Sequence, residues 1–345
     1  SQKTWPEIDM KKIFLIILLT FIIPFACSSA EKRRNAIIND GIHHIKNYSS
    51  NPYSDIISRI KPIPAKHLKK LMELDNRKDY SAYRPTRQEL QLFREYFKQL
   101  PALNKKAIME TSVAVYFVKN FLGGGMSDFI AGHNNEVFTV LYINPEVFSK
   151  TFSQWITYRE SSAFKKADGN IRIDINCGGK YNSLMYLLVH ESSHIVDYVY
   201  NINPYVEPSS ADVFGIKPNA RSFIEGVWKD YTVPVSQYNI DDADRLTFYG
   251  LSQATVPDTK IAGMYENLKK TPFVSLYGCR NWAEDFAESM TFYHLTQVLK
   301  QPYIVTVYKN EKAVMTFSPV NNPLVKSRWD IFEIVYQTRK KNLKK

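Results

Sequence analysis

The sequence predicts an α+β protein with a mainly helical N-terminal lobe, and three observations carry that prediction. Thr86 is followed three residues later by Glu89, a capping box, and Leu90, Leu92, Phe93, Tyr96, Phe97 and Leu100 then recur at helical spacing until Pro101. From Ile171 the pattern changes to strict alternation, with Ile171, Ile173 and Ile175 on one face and Arg172, Asp174 and Asn176 on the other, a half-buried strand. Two long apolar segments, Leu184 to Tyr200 and Trp282 to Leu299, then read as helices, and the second leads into the strand-like runs YIVTVY and KAVMTF.

The remaining elements follow in order. PAKHLKKLMELD is helical with Pro64 near its start, and a third helix is expected over Lys106 to Asn120, ending at the glycines Gly123 to Gly125. That glycine run lacks the Gly-Lys-Ser/Thr ending of a phosphate loop and reads as a helix terminus or turn. NEVFTVLYINPEVF is β-branched and aromatic, one or two strands ending at Asn144-Pro145, and a last helix is expected from Val325 to Tyr336. No Pro-, Gly- or Ser-rich linker divides residues 85–340 and no repeat is present. The expected plan is an upstream and export segment over 1–27, a polar tether over 28–60, a helical lobe over 61–125, and a mixed catalytic lobe over 126–345.

Hydrophobic residues make up 44% of the 345 positions and aromatics 14%, which excludes a disordered chain. The formal charge of +11 is concentrated near Glu31 to Asn35, around Lys66 to Lys70 and in the C-terminal RKKNLKK. Basic ends of this kind form solvated faces or meet anionic surfaces. Nucleic acid is not an expected partner, because no binding motif and no basic patch interleaved with aromatics is present.

MKKIFLIILLTFIIPFAC, from Met10 to Cys27, has two lysines, a short apolar run, a small residue and a cysteine, the form of an export signal. Ala26-Cys27 before SSAEKRRN resembles the processing box of bacterial lipoproteins, although Pro24 and Phe25 depart from its usual pattern. That resemblance implies lipid on Cys27 and attachment to a membrane of the cell envelope; plain secretion and an uncleaved anchor are the other outcomes. In an exported protein Cys177 and Cys279 are free to bridge, but their spacing leaves the pairing open.

The chemistry is concentrated in LMYLLVHESSHIVDYVY. On a helix His190 and His194 share one face, and Glu191, one residue on from the first, can reach a water held by a metal there without being a ligand. Two histidines require a third protein ligand and leave a fourth position open for catalysis. The other histidines are poor candidates: His43 and His44 fall in the tether, His67 on a polar helix, His133 in a Gly-Asn loop, and His294 late in a helix. SLYGCRNWAEDFAESMTFYHL offers Glu284 and Glu288, four apart among aromatics, and buried carboxylates need a positive partner. Zinc on Glu284, with Glu288 bonded to a ligand histidine, meets that need; an arginine or lysine partner is the alternative. Residues 170–176, just upstream, are expected to form an edge strand on which an extended peptide can pair its backbone, chiefly at Ile171, Arg172, Ile173 and Asp174.

HESSHIVDY together with YGCRNWAEDFAE resembles the gluzincin metallopeptidases, most closely the branch typified by the anthrax lethal factor catalytic domain. The resemblance rests on two short blocks and implies a zincin-like fold acting on a peptide or protein. It implies one Zn2+ on His190, His194 and Glu284, with Glu191 as general base. It also implies Tyr277, seven residues before Glu284, as oxyanion stabiliser or proton donor to the leaving amine, and Glu288 and Asp197 as supports behind the ligands. The gap between the blocks is longer than in that branch, so residues at about 200–273 are expected to be an insertion or lid. Two rival expectations keep the zinc: a structural or vestigial site in a surface lipoprotein, which requires a fourth protein ligand, and a hydrolase of non-protein amides.

Overall fold

The computed structural model describes residues 42–49, 51, 53–132, 136–167, 170–200, 202–204, 223–332 and 336, and there the chain mixes helices and strands. The expected export segment with Cys27 lies outside the described residues, as do His133 and 205–222 of the expected insertion. Pro64 precedes α1 (Ala65–Leu74). At the head of α2 (Arg87–Gln99) the capping box forms: Glu89 N–H donates to Thr86 Oγ1 at 3.2 Å and Thr86 N–H to Glu89 Oε2 at 2.7 Å. Phe93, Tyr96 and Phe97 bury the apolar face of α2.

The expected helix over Lys106–Asn120 forms only as far as Thr111. Helix α3 (Ala102–Thr111) ends, and strand β2 (Ser112–Lys119) starts at the next residue. Val115 and Phe117 point into one core, while Val113, Ala114, Tyr116 and Val118 point into another. A strand buried on both faces shows no alternation, so its β-branched and aromatic content is the only local signal. With β1 (Ser81–Tyr83), β3 (Gly125–Ala131) and β4 (Val137–Ile143) it builds a sheet in the order β1-β2-β4-β3. Strands β2 and β4 are parallel, and β3 runs antiparallel to β4 at the edge. The sheet therefore takes strands from both sides of residue 125, and the stretch 61–125 is not wholly helical.

Described residues between 42 and 60, read from the sequence as the end of a polar tether, lie against this sheet. Ala131 N–H donates to His43 O at 2.7 Å, and Ile60 bridges to Val115. Arg59 is buried and its Nη1 donates to Ser112 O at 2.6 Å.

Beyond the sheet come α4 (Phe152–Ser162), β5 (Ile171–Asn176) and α5 (Ser183–Tyr200). Strand β5 keeps the expected alternation, with Ile173 and Ile175 buried and Arg172, Asp174 and Asn176 exposed. It is the edge of a second sheet, paired with β6 (Ile304–Lys309), which pairs in turn with β7 (Lys312–Phe317). Helix α5 is buried almost all round, only His194, Val199 and Tyr200 reaching partial exposure. Edge strand β3 packs on it, with Phe129 against Tyr198, ring centroids 4.0 Å apart. At Gly125 a Cβ would stand 2.5 Å from Tyr142 O and 3.0 Å from Leu187 Cδ1, so the absent side chain lets the strand reach the helix. Helix α6 (Ile261–Leu268) and helix α7 (Trp282–Tyr293), continued by a wide turn at His294–Val298, complete the core around α5. No helix among the described residues is long and apolar enough to cross a membrane.

Candidate metal centre

Helix α5 starts with Asn182, whose Oδ1 accepts Leu184 N–H at 3.1 Å, and carries His190 and His194 one turn apart. Helix α7 starts with Asn281, whose Oδ1 accepts the N–H of Glu284 at 2.9 Å, fixing that residue in the first turn. The two helices pack together and bring His190 Nε2 to 3.1 Å from Glu284 Oε2, although ninety-four positions separate the residues. His194 Nε2 lies 3.3 Å from His190 Nε2 and 3.7 Å from the same Glu284 oxygen.

A tetrahedral ion with bonds of about 2.0–2.1 Å sets its ligands about 3.3 Å apart, and the three separations bracket that length. Two imidazole lone pairs and a carboxylate oxygen repel one another unless a cation stands between them. Among the described residues, these three are the group of His, Cys, Asp or Glu able to hold a metal. Where no metal is bound, a proton is the substitute. Burial opposes a charged His190, but hydrogen bonds and charge from Glu284 and Glu288 outweigh it and lift the group to about 10. Burial alone would raise the Glu284 carboxyl; the two histidines reverse that and hold it well below the usual range.

Glu191 is buried at the cluster, and among the described residues no side chain hydrogen-bonds to its carboxylate. Tyr277 sits on the turn Tyr277–Arg280 that leads into α7, its ring centroid 6.0 Å from that of His190. Burial, with Glu284 nearby, pushes its phenol well above the ordinary value, so it remains a proton donor.

Behind the ligands, Glu288 Oε1 stands 3.2 Å from His190 Nδ1, the contact expected of it. The alternative partner, an arginine, is present as well. Arg159 on α4 donates from Nη1 to Glu288 Oε1 at 2.8 Å and from Nη2 to Oε2 at 2.6 Å. Tyr186 and Ser275 hydroxyls donate to the same carboxylate at 2.7 and 2.6 Å. Burial is outweighed by Arg159 and His190, and Glu288 is held near 2. Among the described residues Glu284 has no such arginine; its carboxylate faces the two histidines. Asp197 is placed differently from Glu288: its oxygens take the backbone N–H and the side-chain amide of Asn203, at 2.8 and 3.0 Å. Burial lifts its carboxyl to about 6 against the opposing hydrogen bonds from Asn203.

Strand β5 packs chiefly on α4 and β6. Ile175 N–H donates to Thr157 Oγ1 at 2.9 Å and Cys177 N–H to Ser153 Oγ at 2.9 Å, so helix α4 covers part of the free edge of β5. The edge strand lying on α5 is β3. Cys177 and Cys279 are each buried and free. His43 pairs with Asp128, His67 packs between Tyr48 and Tyr116, and buried His294 lies 2.7 Å from Tyr336 Oη through Nδ1. Within the described part of residues 200–273, Phe248 and Tyr249 stand with ring centroids 5.0 and 5.9 Å from Tyr277. Tyr249 has φ +60°, a left-handed backbone that a bulky residue adopts only when its surroundings impose it.

Arg159, Tyr186, Ser275, Phe248 and Tyr249 were not singled out by the sequence. Tyr186 was within reach, four residues before His190 on one helix face; Arg159 sits beside Glu160 inside an otherwise ordinary helix and had no pattern to expose it. Comparison with protein-family models, curated proteins and solved structures gives no match to the chain. The site itself therefore supplies the assignment: a mixed α/β chain with a buried His190–His194–Glu284 cluster able to hold a metal ion.

Proposed function

We propose that the chain is a zinc metallopeptidase of zincin-like architecture, related in plan to the gluzincins and using one Zn2+ on His190, His194 and Glu284. The observation that carries this reading is the convergence of the three ligand atoms at 3.1, 3.3 and 3.7 Å beside an uncommitted Glu191. The sheet supports it, because an antiparallel edge strand, β3, lies on the helix that bears the histidines.

Zinc in such a site lowers the pKa of a bound water toward neutrality and polarises a carbonyl. The chain supplies the rest. Glu191 takes the proton of the attacking water and passes it to the leaving amine. Tyr277 donates its hydroxyl hydrogen to the oxygen that gains charge as the carbonyl becomes tetrahedral. Glu288 holds the Nδ1 proton of His190, leaving Nε2 free to bind. A peptide or protein substrate lies extended along β3, its backbone amides pairing with the strand. The basic ends and the segment ending at Cys27 support an exported, lipid-anchored protein of the cell envelope.

The test is cleavage of a peptide library by wild type and Glu191→Gln at matched zinc content. Loss of turnover by several orders of magnitude with zinc retained is the expected result. Equal activity in the two proteins removes the mechanism.

A further inference from the structure

A guanidinium stands behind the ligand cluster, and neither metal binding nor proton transfer accounts for it. Arg159 is wholly buried on α4 and uses every nitrogen. Its Nη1 donates to Tyr186 Oη at 2.5 Å and to Glu288 Oε1, and its Nη2 to Glu288 Oε2. On the far side, Nε and Nη2 donate to Glu160 Oε1 at 3.2 and 2.9 Å, and Glu160 Oε2 accepts Tyr265 Oη–H at 2.8 Å. The guanidinium carbon also lies 4.6 Å from the centre of the Tyr277 ring.

We propose that Arg159 is a positioning residue for the metal centre: its planar fork fixes the plane of the Glu288 carboxylate, and through it the direction in which His190 presents Nε2. This rests on the metal-site reading above. A glutamate turns easily about its last side-chain bond, and rotation would carry Oε1 away from His190 Nδ1. Two parallel N–H···O bonds remove that freedom, which a single point charge does not. Glu160, itself anchored by Tyr265, holds the fork from behind. The same cation lies against the ring of Tyr277, so one side chain on α4 orients residues on α5, on α7 and on the turn before it.

A merely structural ion pair needs only the charge; a positioning fork needs the shape as well. Arg159→Lys separates the two, because it keeps the charge and loses the fork. Zinc affinity is measured by competition with a chromophoric chelator, and the Co2+ absorption spectrum is recorded, on the full chain carrying each variant. The expected result is zinc affinity lowered about 10- to 100-fold with an altered Co2+ spectrum, the range found when a partner behind a ligand is lost. Wild-type affinity and spectrum in folded Arg159→Lys overturn the proposal. If that variant fails to fold, Glu160→Gln loosens the fork from behind and leaves the Glu288 contacts in place. A several-fold loss of affinity there supports the proposal, and an unchanged value overturns it. Failure of wild type to bind zinc sinks the metal reading instead, so the two failures are distinguishable.

Discussion

Glu284 and Glu288, one turn apart on α7, contact opposite nitrogens of a single imidazole. Glu284 Oε2 lies 3.1 Å from Nε2 of His190, and Glu288 Oε1 lies 3.2 Å from its Nδ1. One carboxylate belongs to the candidate metal cluster and the other contacts the ring from behind, so removing them is expected to have different consequences. Glu284→Ala is expected to abolish stoichiometric zinc. Glu288→Gln keeps the ligand set and is expected to weaken zinc binding about 10- to 100-fold. Elemental analysis of the purified variants, with chelator competition for the second, checks both.

A metal ion entering this cluster would have to displace a proton. With His190 lifted to about 10 in the metal-free site, binding near pH 8 is expected to release close to one proton from it. Apparent affinity then rises about tenfold per pH unit until that value is reached. The same shift sets a stability window. A folded value above the unfolded ~6.5 stabilises the metal-free fold fully below ~6.5, and that contribution is lost as pH rises toward 10. Titration calorimetry in buffers of different ionisation enthalpy reads the proton, and no net release would contradict the shared-proton site.

His294 acts on the acid side with the opposite sign. Burial lowers it to about 4, so between ~6.5 and 4 the unfolded chain binds a proton that the fold refuses. Stability from this group is present above ~6.5 and lost as pH falls through 4, by roughly 3 kcal/mol in total. Urea unfolding of wild type and His294→Leu at pH 7 and pH 4.5 isolates it: the gap between the two proteins should narrow or reverse at the lower pH. A constant gap would show that His294 titrates normally.

Tyr277→Phe keeps the ring against Arg159 and Phe248 and removes only the hydroxyl. Zinc content is expected to stay at wild type while turnover falls by about 10²–10³, the effect of deleting one donor to a developing oxyanion. A rate within a few-fold of wild type on the best library peptide would exclude that role.

Gly125→Ala places a methyl group 2.5 Å from a backbone carbonyl of β4 and 3.0 Å from Leu187. Neither can yield freely, because Leu187 belongs to the buried helix that carries the histidines. A loss of about 1–3 kcal/mol in urea unfolding is expected, with reduced zinc affinity from the displaced α5. Unchanged stability would mean that β3 and α5 are not held in register by this contact.

The sequence was most legible where chemistry is tied to spacing. His190, His194 and Glu191 are fixed relative to one another by helix geometry, and the four-residue step from Glu284 to Glu288 put a candidate ligand and a second carboxylate on one face of one helix. The alternation of Ile171, Ile173 and Ile175 disclosed a half-buried strand because one face meets water. β2 was hidden by the converse: covered on both sides, Ser112 to Val118 carries no periodic signal. Which edge strand meets α5 was not written locally either, since β3 reaches the helix through a tertiary approach at Gly125. Arg159 was hidden for a related reason, because its partners Glu288 and Tyr186 lie on other helices and only packing reveals them.

The ligand atoms come from two helices that the chain joins only through a long excursion. An ion held between them behaves as a reversible cross-link, one that closes a loop of ninety-four residues without a covalent bond. An ion that engages the native state and not the unfolded chain would add about 1.4 kcal/mol to stability for each tenfold rise in its free concentration above the dissociation constant. The melting temperature of a metal-loaded chain would then gauge the free metal around it, and surroundings poor in metal would hold a looser, more easily digested population of the same chain.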